Sequence, residues 1–295
     1  MERRLKDIVA ATGELPALPS TTARLLRLLD DDLVDANEVL DVIGHDPALT
    51  ANLLKLCNSA YYGLRRRVGT VHEALVLLGN RAVVSLAFAT SLGDVMRGPL
   101  AGYRLERDAL WRHSLAVGVA AAHLLGTAGD RERRERAFTG GLVHDIGKLV
   151  LNGPLKAKLQ QLPPAGDFDV LLDGERAILG FDHAEAGAAL AEAWNFPPSL
   201  AVVIRAHHPS SSAGGTTLDR RPELPPDTDR DLLRAVQAAN LIGCRAGLGA
   251  GTCHDDAGWL DGLAALGLAE AEAGAVLARL PGDVAALSGA LGGRP

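Results

Sequence analysis

The sequence predicts an all-α protein, a multi-helix bundle of about a dozen short helices. Three observations support this fold class. Apolar residues recur at the three- and four-residue spacing of helices over most of the chain. Proline, glycine and helix-capping residues divide that pattern into short segments. The strict apolar–polar alternation that is typical of a half-buried strand does not occur in the sequence.

The N-terminal part divides into helices with marked ends. The first segment carries four leucines on one stripe and begins near Ser20, a residue type that caps helix N-termini. Gly44 and Pro47 separate the second segment from the third, because Pro favours the first turn of a helix. The predicted helical segments are residues 21–31, 35–44, 47–63 and 70–96, the last broken at Gly79–Asn80.

The C-terminal part continues the helical pattern. Asp108 and Asp182 stand at helix starts, and the segment after Asp182 is rich in small residues that allow close helix packing. Residues 209–230 are rich in Ser, Gly and Pro and show no period, which predicts a loop. The predicted helical segments are residues 108–125, 134–151, 182–194, 197–208 and 229–247.

Composition excludes several classes of protein. The 295 residues are 47% hydrophobic and 22% charged, which is typical of a folded globular chain. The net charge of −6 argues against a dedicated nucleic-acid binder, which usually presents a basic face. We therefore expect neither nucleic acid nor a membrane as a partner, since no apolar run approaches the length of a membrane span.

Three cysteines are present and none forms a CxxC pair. An odd number of cysteines without such a pair argues against a disulfide framework and against a structural zinc ribbon. A reducing compartment fits best, and we expect a cytoplasmic protein because the N-terminus has no apolar stretch typical of a signal peptide.

Five histidines and one aspartate lie on helical segments that are otherwise apolar. A single such histidine is usually a capping or core residue, but six residues of this kind on four successive helices favour a metal site. Neutral imidazole and carboxylate are ligands for Fe, Mn, Zn or Ni, and a helical bundle can direct them to one place. The predicted metal ligands are His113, His144, Asp145, His183, His207 and His208.

Three of the polar residues leave alternatives open. Adjacent helical residues point about 100° apart, so His207 and His208 would hardly bind one ion; they could face two ions, or one could bind metal and the other substrate. Lys148 shares a helical face with Asp145 and could either contact a phosphate or extend to the surface. The second His-Asp pair, His45–Asp46, precedes Pro47 and predicts an N-cap rather than a metal site.

These residues resemble a known family. His113, the "HDIGK" run at 144–148, His183 and the pair at 207–208 are similar to the HD superfamily of metal-dependent phosphohydrolases, and more narrowly to its HD-GYP branch, which cleaves cyclic di-GMP. The segments "LPALPS" at 15–20, "IGHDPALTANLLKLCNSAYYG" at 43–63 and "TVHEALVLLGNRAVVSLAFATSL" at 70–92 look like the HDOD domain, the HD-related output domain of bacterial signalling proteins. The resemblance covers about residues 13–245 and implies an HD-superfamily helical bundle with an N-terminal helical subdomain.

The resemblance also implies a division of the chain. Residues 1–100 would form the N-terminal helical part of the HDOD domain, and residues 101–248 its HD-like helical core, which includes the loop 209–230. Residues 249–295 would form a Gly/Ala-rich helical tail.

The sequence departs from the HD patterns in three places. Asn240 occupies the late-helix position of an aspartate, and a neutral amide binds a cation less well and cannot act as a base. Ala109 stands where the HD-GYP pattern has a glutamate, and the Gly-Tyr-Pro segment is replaced after residue 208. We expect a site for one or two metal ions at most.

The resemblance implies a bacterial signal-transduction output or scaffold protein without turnover, able to hold a metal or nucleotide in a residual HD pocket. Its partners would be histidine kinases, response regulators or cyclic-di-GMP turnover proteins, and the chain could form a homodimer. The alternative is a metal-dependent phosphohydrolase acting on a nucleotide or cyclic dinucleotide, in which Lys148 or His208 would neutralise the phosphate. A third hypothesis is a sensor that binds a nucleotide without cleaving it.

Overall fold

The computed structural model describes residues 18–30, 34–126, 130–162, 168–208, 224–249 and 256–290. Over these ranges the chain is helical without any strand, so the all-α prediction is confirmed. None of the helices in the described ranges combines the length and apolarity that crossing a membrane requires. The helices are α1 (Ser20–Asp30), α2 (Ala36–Gly44), α3 (Pro47–Cys57), α4 (Val71–Leu78), α5 (Asn80–Met96), α6 (Ala109–Leu125), α7 (Arg131–Val143), α8 (Gly147–Ala157), α9 (Phe168–Leu179), α10 (His183–Ala193), α11 (Pro198–Ala206), α12 (Arg230–Gly243), α13 (Asp256–Leu266) and α14 (Glu270–Ala290).

Several helices begin at residues whose side chains cap the helix N-terminus. Asp46 caps α3, accepting a hydrogen bond from the Leu49 backbone N–H at 2.9 Å, as its place before Pro47 predicts. Asp182 caps α10, and Glu185 returns the bond to complete a capping box. The predicted break between α4 and α5 falls at Gly79, whose φ of 90° is a conformation that glycine adopts without strain.

Two predicted helices are shorter than expected. The third helix ends at Cys57 because the Asn58 side chain donates to the Leu54 carbonyl at 2.7 Å and exchanges hydrogen bonds with the backbone of Val68. The segment 134–151 breaks into α7 and α8, separated by the turn His144–Ile146. Of the predicted loop 209–230, residues 209–223 lie outside the described residues, and Arg230 already begins α12.

The buried centre of the bundle is α6. Alanines and glycines let neighbouring helices approach it closely, and α7, α12 and α14 pack around it. A methyl group at Gly141 of α7 would lie 2.6 Å from the Gly118 backbone of α6, so these two helices meet backbone to backbone. The tail helix α14 is joined to α6 by His123, whose Nε2 lies 2.8 Å from an oxygen of Asp283. The sequence gives His123 no evident partner, because the two residues are 160 positions apart.

A second close approach brings α8 against α10. A methyl group on Gly147 would lie 1.8 Å from the His183 carbonyl oxygen and 2.5 Å from the Gly187 nitrogen. Both obstacles are backbone atoms, which cannot move without shifting a helix. The contact fixes the start of α8 beside the start of α10, and with it the side chains that both helices carry.

We expect Gly147→Ala to lower the free energy of unfolding by about 3 kcal/mol or more, because the new methyl group has no space. Gly274→Ala is the control, because Gly274 lies inside the helix α14, is not followed by proline, and its added methyl group meets no packed atom within 4 Å. The control should be neutral or stabilise by about 0.5–1 kcal/mol. Denaturant unfolding measures both, and equal effects would contradict the packing described.

An acidic residue, Glu135, is buried in α7. Burial raises its pKa to about 7, although Arg134 and a hydrogen bond from Ser85 lower it in part. The folded protein therefore holds this proton more tightly than the unfolded chain, in which the pKa stays near the ordinary 4.5. The resulting stability is fully present below about pH 4.5 and is lost as the pH rises through about 7.

Glu135→Gln should consequently raise the free energy of unfolding at pH 8, by up to about 3 kcal/mol, and change it little at pH 5. The amide resembles the protonated carboxyl and carries no charge at either pH. Glu106→Gln, at an exposed position, is the control and should change the free energy of unfolding little at either pH. An equal effect of Glu135→Gln at both pH values would contradict the raised pKa.

Candidate metal centre

Four parts of the fold bring the six predicted ligands together. His113 lies on α6, and His144 and Asp145 lie on the turn between α7 and α8. His183 is the first residue of α10, and His207 and His208 directly follow α11. We call these six residues the His/Asp cluster. The turn between α7 and α8 has the largest effect on the geometry of the cluster, since this helix break directs His144 and Asp145 towards the other three helices.

Asp145 is the centre of the His/Asp cluster. Its Oδ1 lies 3.2 Å from Nε2 of His183 and 3.4 Å from Nε2 of His207. Its Oδ2 lies 3.5 Å from Nε2 of His113 and 3.6 Å from Nε2 of His144. The candidate ligand atoms form two groups with spacing suited to a metal ion, and Asp145 belongs to both: Asp145, His183, His207 and His208 in one, His113, His144 and Asp145 in the other.

Four imidazoles are oriented by groups outside the cluster. The Nδ1 atoms of His113, His144 and His207 lie 3.0, 2.7 and 2.8 Å from the backbone carbonyls of Leu248, Gly141 and Ile204. Since a carbonyl only accepts, each of these Nδ1 atoms carries the proton and donates. Nδ1 of His183 likewise faces the Glu175 carboxylate at 2.8 Å. This is the arrangement in which histidines bind metals, with the other nitrogen directed at the ion.

In this orientation the Nε2 lone pairs of His113 and His144 face each other. Nε2 of His113 and Nε2 of His144 are 3.2 Å apart, and burial lowers the pKa of His113 to about 4 and that of His144 well below its ordinary value. Both rings are therefore neutral near pH 7, and no proton lies between the two nitrogens. Oδ1 of Asp145 and Nε2 of His207 are also buried without a hydrogen-bond partner. Cations in the two groups of ligands would satisfy these atoms, so the residues fit divalent metal ions.

The sequence prediction missed Glu175. This carboxylate is fully buried on α9 and accepts hydrogen bonds from Nδ1 and the backbone N–H of His183, both at 2.8 Å, and from the Tyr103 hydroxyl at 2.7 Å. Burial lowers the pKa of His183, but the Glu175 charge and the nearby Asp145 carboxylate outweigh it and raise the pKa to about 9, so a metal ion at Nε2 would have to displace a proton. A signal was available, because Glu175 follows Leu171 by four residues and so lies on the apolar stripe of its helix.

Lys148 is buried, so the alternative in which it extends to the surface is wrong. Its Nζ lies 2.6 Å from Oδ2 of Asp145, because the break before α8 turns the first turn of that helix inwards. Burial would raise the pKa of Asp145, but the charge of Lys148 holds it well below its ordinary value. Asp145 is therefore an ionised carboxylate in the protein interior.

The premise of the expectation that His207 and His208 would hardly serve one ion does not hold. It assumed a continuous helix, whereas α11 ends at Ala206 and the 100° step does not apply beyond it. The two rings lie with their centroids 4.0 Å apart, and Nε2 of His208 is 2.9 Å from Nε2 of His183. Both histidines belong to one group of candidate ligands with Asp145.

Two of the three departures from the HD patterns lie beside the cluster, and the third, after residue 208, lies outside the described residues. Asn240 is buried on α12, one turn before Gly243, whose added methyl group would lie 3.9 Å from the His113 ring. Asn240 therefore lies on the face of α12 that is turned towards His113. Ala109 is the first residue of α6, one turn before His113. Neither residue supplies a charge there.

Comparison with known proteins identifies the family. The sequence profile of the HDOD domain matches residues 15–210. An uncharacterized protein of Treponema pallidum (strain Nichols) is 30% identical over 211 residues, which cover 68% of this chain and 39% of that protein. The chain thus spans about two fifths of the length of the curated relative it matches.

Solved structures share the fold. A crystal structure of an HDOD domain protein with unknown function from Geobacter sulfurreducens superposes with a TM-score of 0.70 at 24% identity, covering 98% of this chain and 97% of that one. A candidate phosphohydrolase from Shewanella amazonensis SB2B gives a TM-score of 0.65 at 24% identity, covering 97% and 98%. A candidate signal transduction protein from Marinobacter aquaeolei VT8 gives 0.66 at 19% identity, covering 99% and 66%. The predicted resemblance is confirmed, and the chain belongs to the HDOD domain family.

Proposed function

We propose that this protein is a signalling output domain that holds a divalent metal ion in the His/Asp cluster and does not turn over a substrate. One observation carries the metal assignment: four imidazoles donate through Nδ1 to acceptors outside the cluster and direct Nε2 at a single buried carboxylate. Asp145, His183, His207 and His208 would hold the ion, and His113 and His144 would complete a neighbouring position with Asp145. The ligand set suits Fe, Mn, Zn or Ni.

A bound divalent ion would supply an acidic water near neutral pH, which is the chemistry of the HD hydrolases. The residues around the cluster argue against its use for cleavage. Lys148 is held by Asp145 at 2.6 Å, so a phosphate would have to break a buried ion pair to reach its ammonium group. Asn240 cannot act as a base, and Ala109 offers no carboxylate.

Enclosure of the cluster supports the same conclusion. The side chains of His113, His144, Asp145, His183 and His207 are each no more than 2% exposed. A hydrolase must admit a substrate and an attacking water to its metal. A buried ion instead adds stability to the helices that supply its ligands and can couple their positions.

A signalling role would be exercised through partners. Histidine kinases, response regulators or cyclic-di-GMP turnover proteins in a bacterial cytoplasm are the proposed partners, on the strength of the family membership. The name of the Marinobacter neighbour, a candidate signal transduction protein, agrees with this proposal. The Shewanella neighbour's name instead favours the rival function, a metal-dependent phosphohydrolase acting on a nucleotide or cyclic dinucleotide. A nucleotide sensor without turnover is the third candidate.

A turnover assay separates these functions. Purified protein is incubated with Mn²⁺ or Fe²⁺ and a panel of phosphomonoesters, nucleotides and cyclic dinucleotides, beside His144→Ala. We expect phosphate or nucleotide release no faster than that of the variant. Release that requires His144 would contradict the proposal and establish the hydrolase. Saturable nucleotide binding without release would favour the sensor.

A further inference from the structure

A cavity of about 160 Å³ lies at the junction of the N-terminal and central helices, away from the His/Asp cluster. The end of α1, the first turns of α5, the middle of α7 and the start of α11 enclose it. We call it the junction cavity. Its volume is several times that of one ordered water, so a small molecule fits. Its polar lining consists of Arg81, Ser85, Glu135, Arg136, Thr139 and Ser199.

The junction cavity and the His/Asp cluster are separate sites. Ser199 lies in the first turn of α11, whereas His207 follows the last residue of that helix, eight residues later. Thr139 lies in α7, and His144 follows the end of that helix, five residues later. At about 1.5 Å per residue, eight helical residues span about 12 Å. The two sites therefore lie at opposite ends of α11 and share no residue.

Two guanidinium groups line the junction cavity and meet at one carboxylate. Arg136 lies 2.9 Å from Oε1 of Glu132, and Arg81 lies 3.7 Å from the same atom. The Arg81 side chain is 15% exposed, whereas that of Glu132 is 53% exposed. Glu132 is not one of the residues that line the cavity, and its largely solvated carboxylate holds the two arginines from outside the lining. An anion in the cavity would compete with it for hydrogen bonds from both arginines.

The interior of the junction cavity is a chain of buried polar groups. Thr139 donates to the Ser85 hydroxyl at 3.4 Å, and Ser85 donates to Glu135. Burial raises the pKa of Glu135 to about 7, so its carboxyl group is neutral when protonated and can then donate a hydrogen bond. At pH 6 the two arginines therefore give this surface a positive charge.

We propose that the junction cavity binds a small anion with a phosphate or carboxylate group, which replaces Glu132 as the hydrogen-bond partner of Arg81 and Arg136. Glu132 is then an internal competitor, and removing its charge strengthens binding. A purely structural Arg–Glu–Arg arrangement has no such property. The prediction is that two charge-removing substitutions, four residues apart on one helix, act in opposite directions.

Isothermal titration calorimetry of the full chain tests the proposal, at pH 6 with a chelator and constant ionic strength. The probes are inorganic phosphate, a nucleoside 5′-monophosphate and citrate, which distinguish the free ion, an organic phosphate and a carboxylate. We expect at least one probe to bind with one-to-one stoichiometry. Glu132→Gln should tighten its binding about threefold, and Arg136→Gln should weaken it about tenfold.

Arg133→Gln is the matched control, because this substitution removes the same charge from the same helix. The Arg133 guanidinium pairs with Asp231 at 2.8 Å instead of lining the cavity. The substitution should leave the affinity nearly unchanged. The proposal is overturned if no probe binds the wild-type protein at millimolar concentration. It is equally overturned if Glu132→Gln weakens binding, or if Arg136→Gln has no larger effect than Arg133→Gln.

Discussion

Replacing Asp145 by Asn should weaken metal binding by at least about 100-fold. Loss of a group that only orients a metal ligand costs about 10- to 100-fold, and Asp145 is a candidate ligand in both groups of the His/Asp cluster. The amide also offers one oxygen instead of two and no charge. The measurement is metal content per chain after loading and gel filtration, by plasma mass spectrometry, with affinity from a competing chelator.

The sequence provides a matched control for this substitution. Asp46 also follows a histidine, but its carboxylate caps α3, and Asn is nearly as good a capping residue. Asp46→Asn should bind metal like the wild type and unfold at nearly the same temperature. If Asp145→Asn retains the wild-type metal content, the carboxylate is only the counter-ion of Lys148, and the metal assignment fails.

Glu175→Ala should lower the free energy of unfolding by about 4 kcal/mol. The substitution leaves two N–H groups of His183 and the hydroxyl of Tyr103 buried without their acceptor. Removing one member of a buried charged network typically costs about 3–5 kcal/mol. Glu175→Gln keeps one acceptor oxygen and should fall between the alanine variant and the wild type.

The control for Glu175 is Glu192→Ala, which removes the same side chain from a neighbouring helix. Glu192 is partly exposed and pairs with Arg205 at 3.2 Å, so its loss should cost no more than about 1 kcal/mol. Urea unfolding followed by circular dichroism measures all three variants. Similar losses for Glu175→Ala and Glu192→Ala would show that Glu175 does not anchor His183.

Helical segments and their starts could be predicted from the sequence because they depend on local interactions. Asp46 and Asp182 cap helices where their position before Pro47 and before an Ala-rich segment indicates. The residues of the His/Asp cluster could be predicted to meet because six polar side chains interrupt apolar stripes, and one buried centre accounts for all of them. Which atoms of the cluster contact one another could not be predicted, since those contacts depend on where α7 and α11 end.

Pairs that are distant in sequence were beyond local reasoning. The apolar stripe of α9 indicates that Glu175 is buried, but its partner His183 can be identified only once α9 is packed beside α10. His123 lies beside Asp283 only because α14 packs against α6. Lys148 was misjudged as a surface residue in one alternative, because nothing near it in sequence shows that α8 begins inside the protein.

Anomalous diffraction tests the central claim most directly. Crystals of metal-loaded protein would be measured on both sides of the absorption edge of the added metal. We predict an anomalous peak within coordination distance of Nε2 of His183, Nε2 of His207 and Oδ1 of Asp145, atoms that already face one another at 3.2 and 3.4 Å. A map without a peak there, in which Asp145 still pairs only with Lys148 and the histidines, would contradict the assignment of a metal to this cluster.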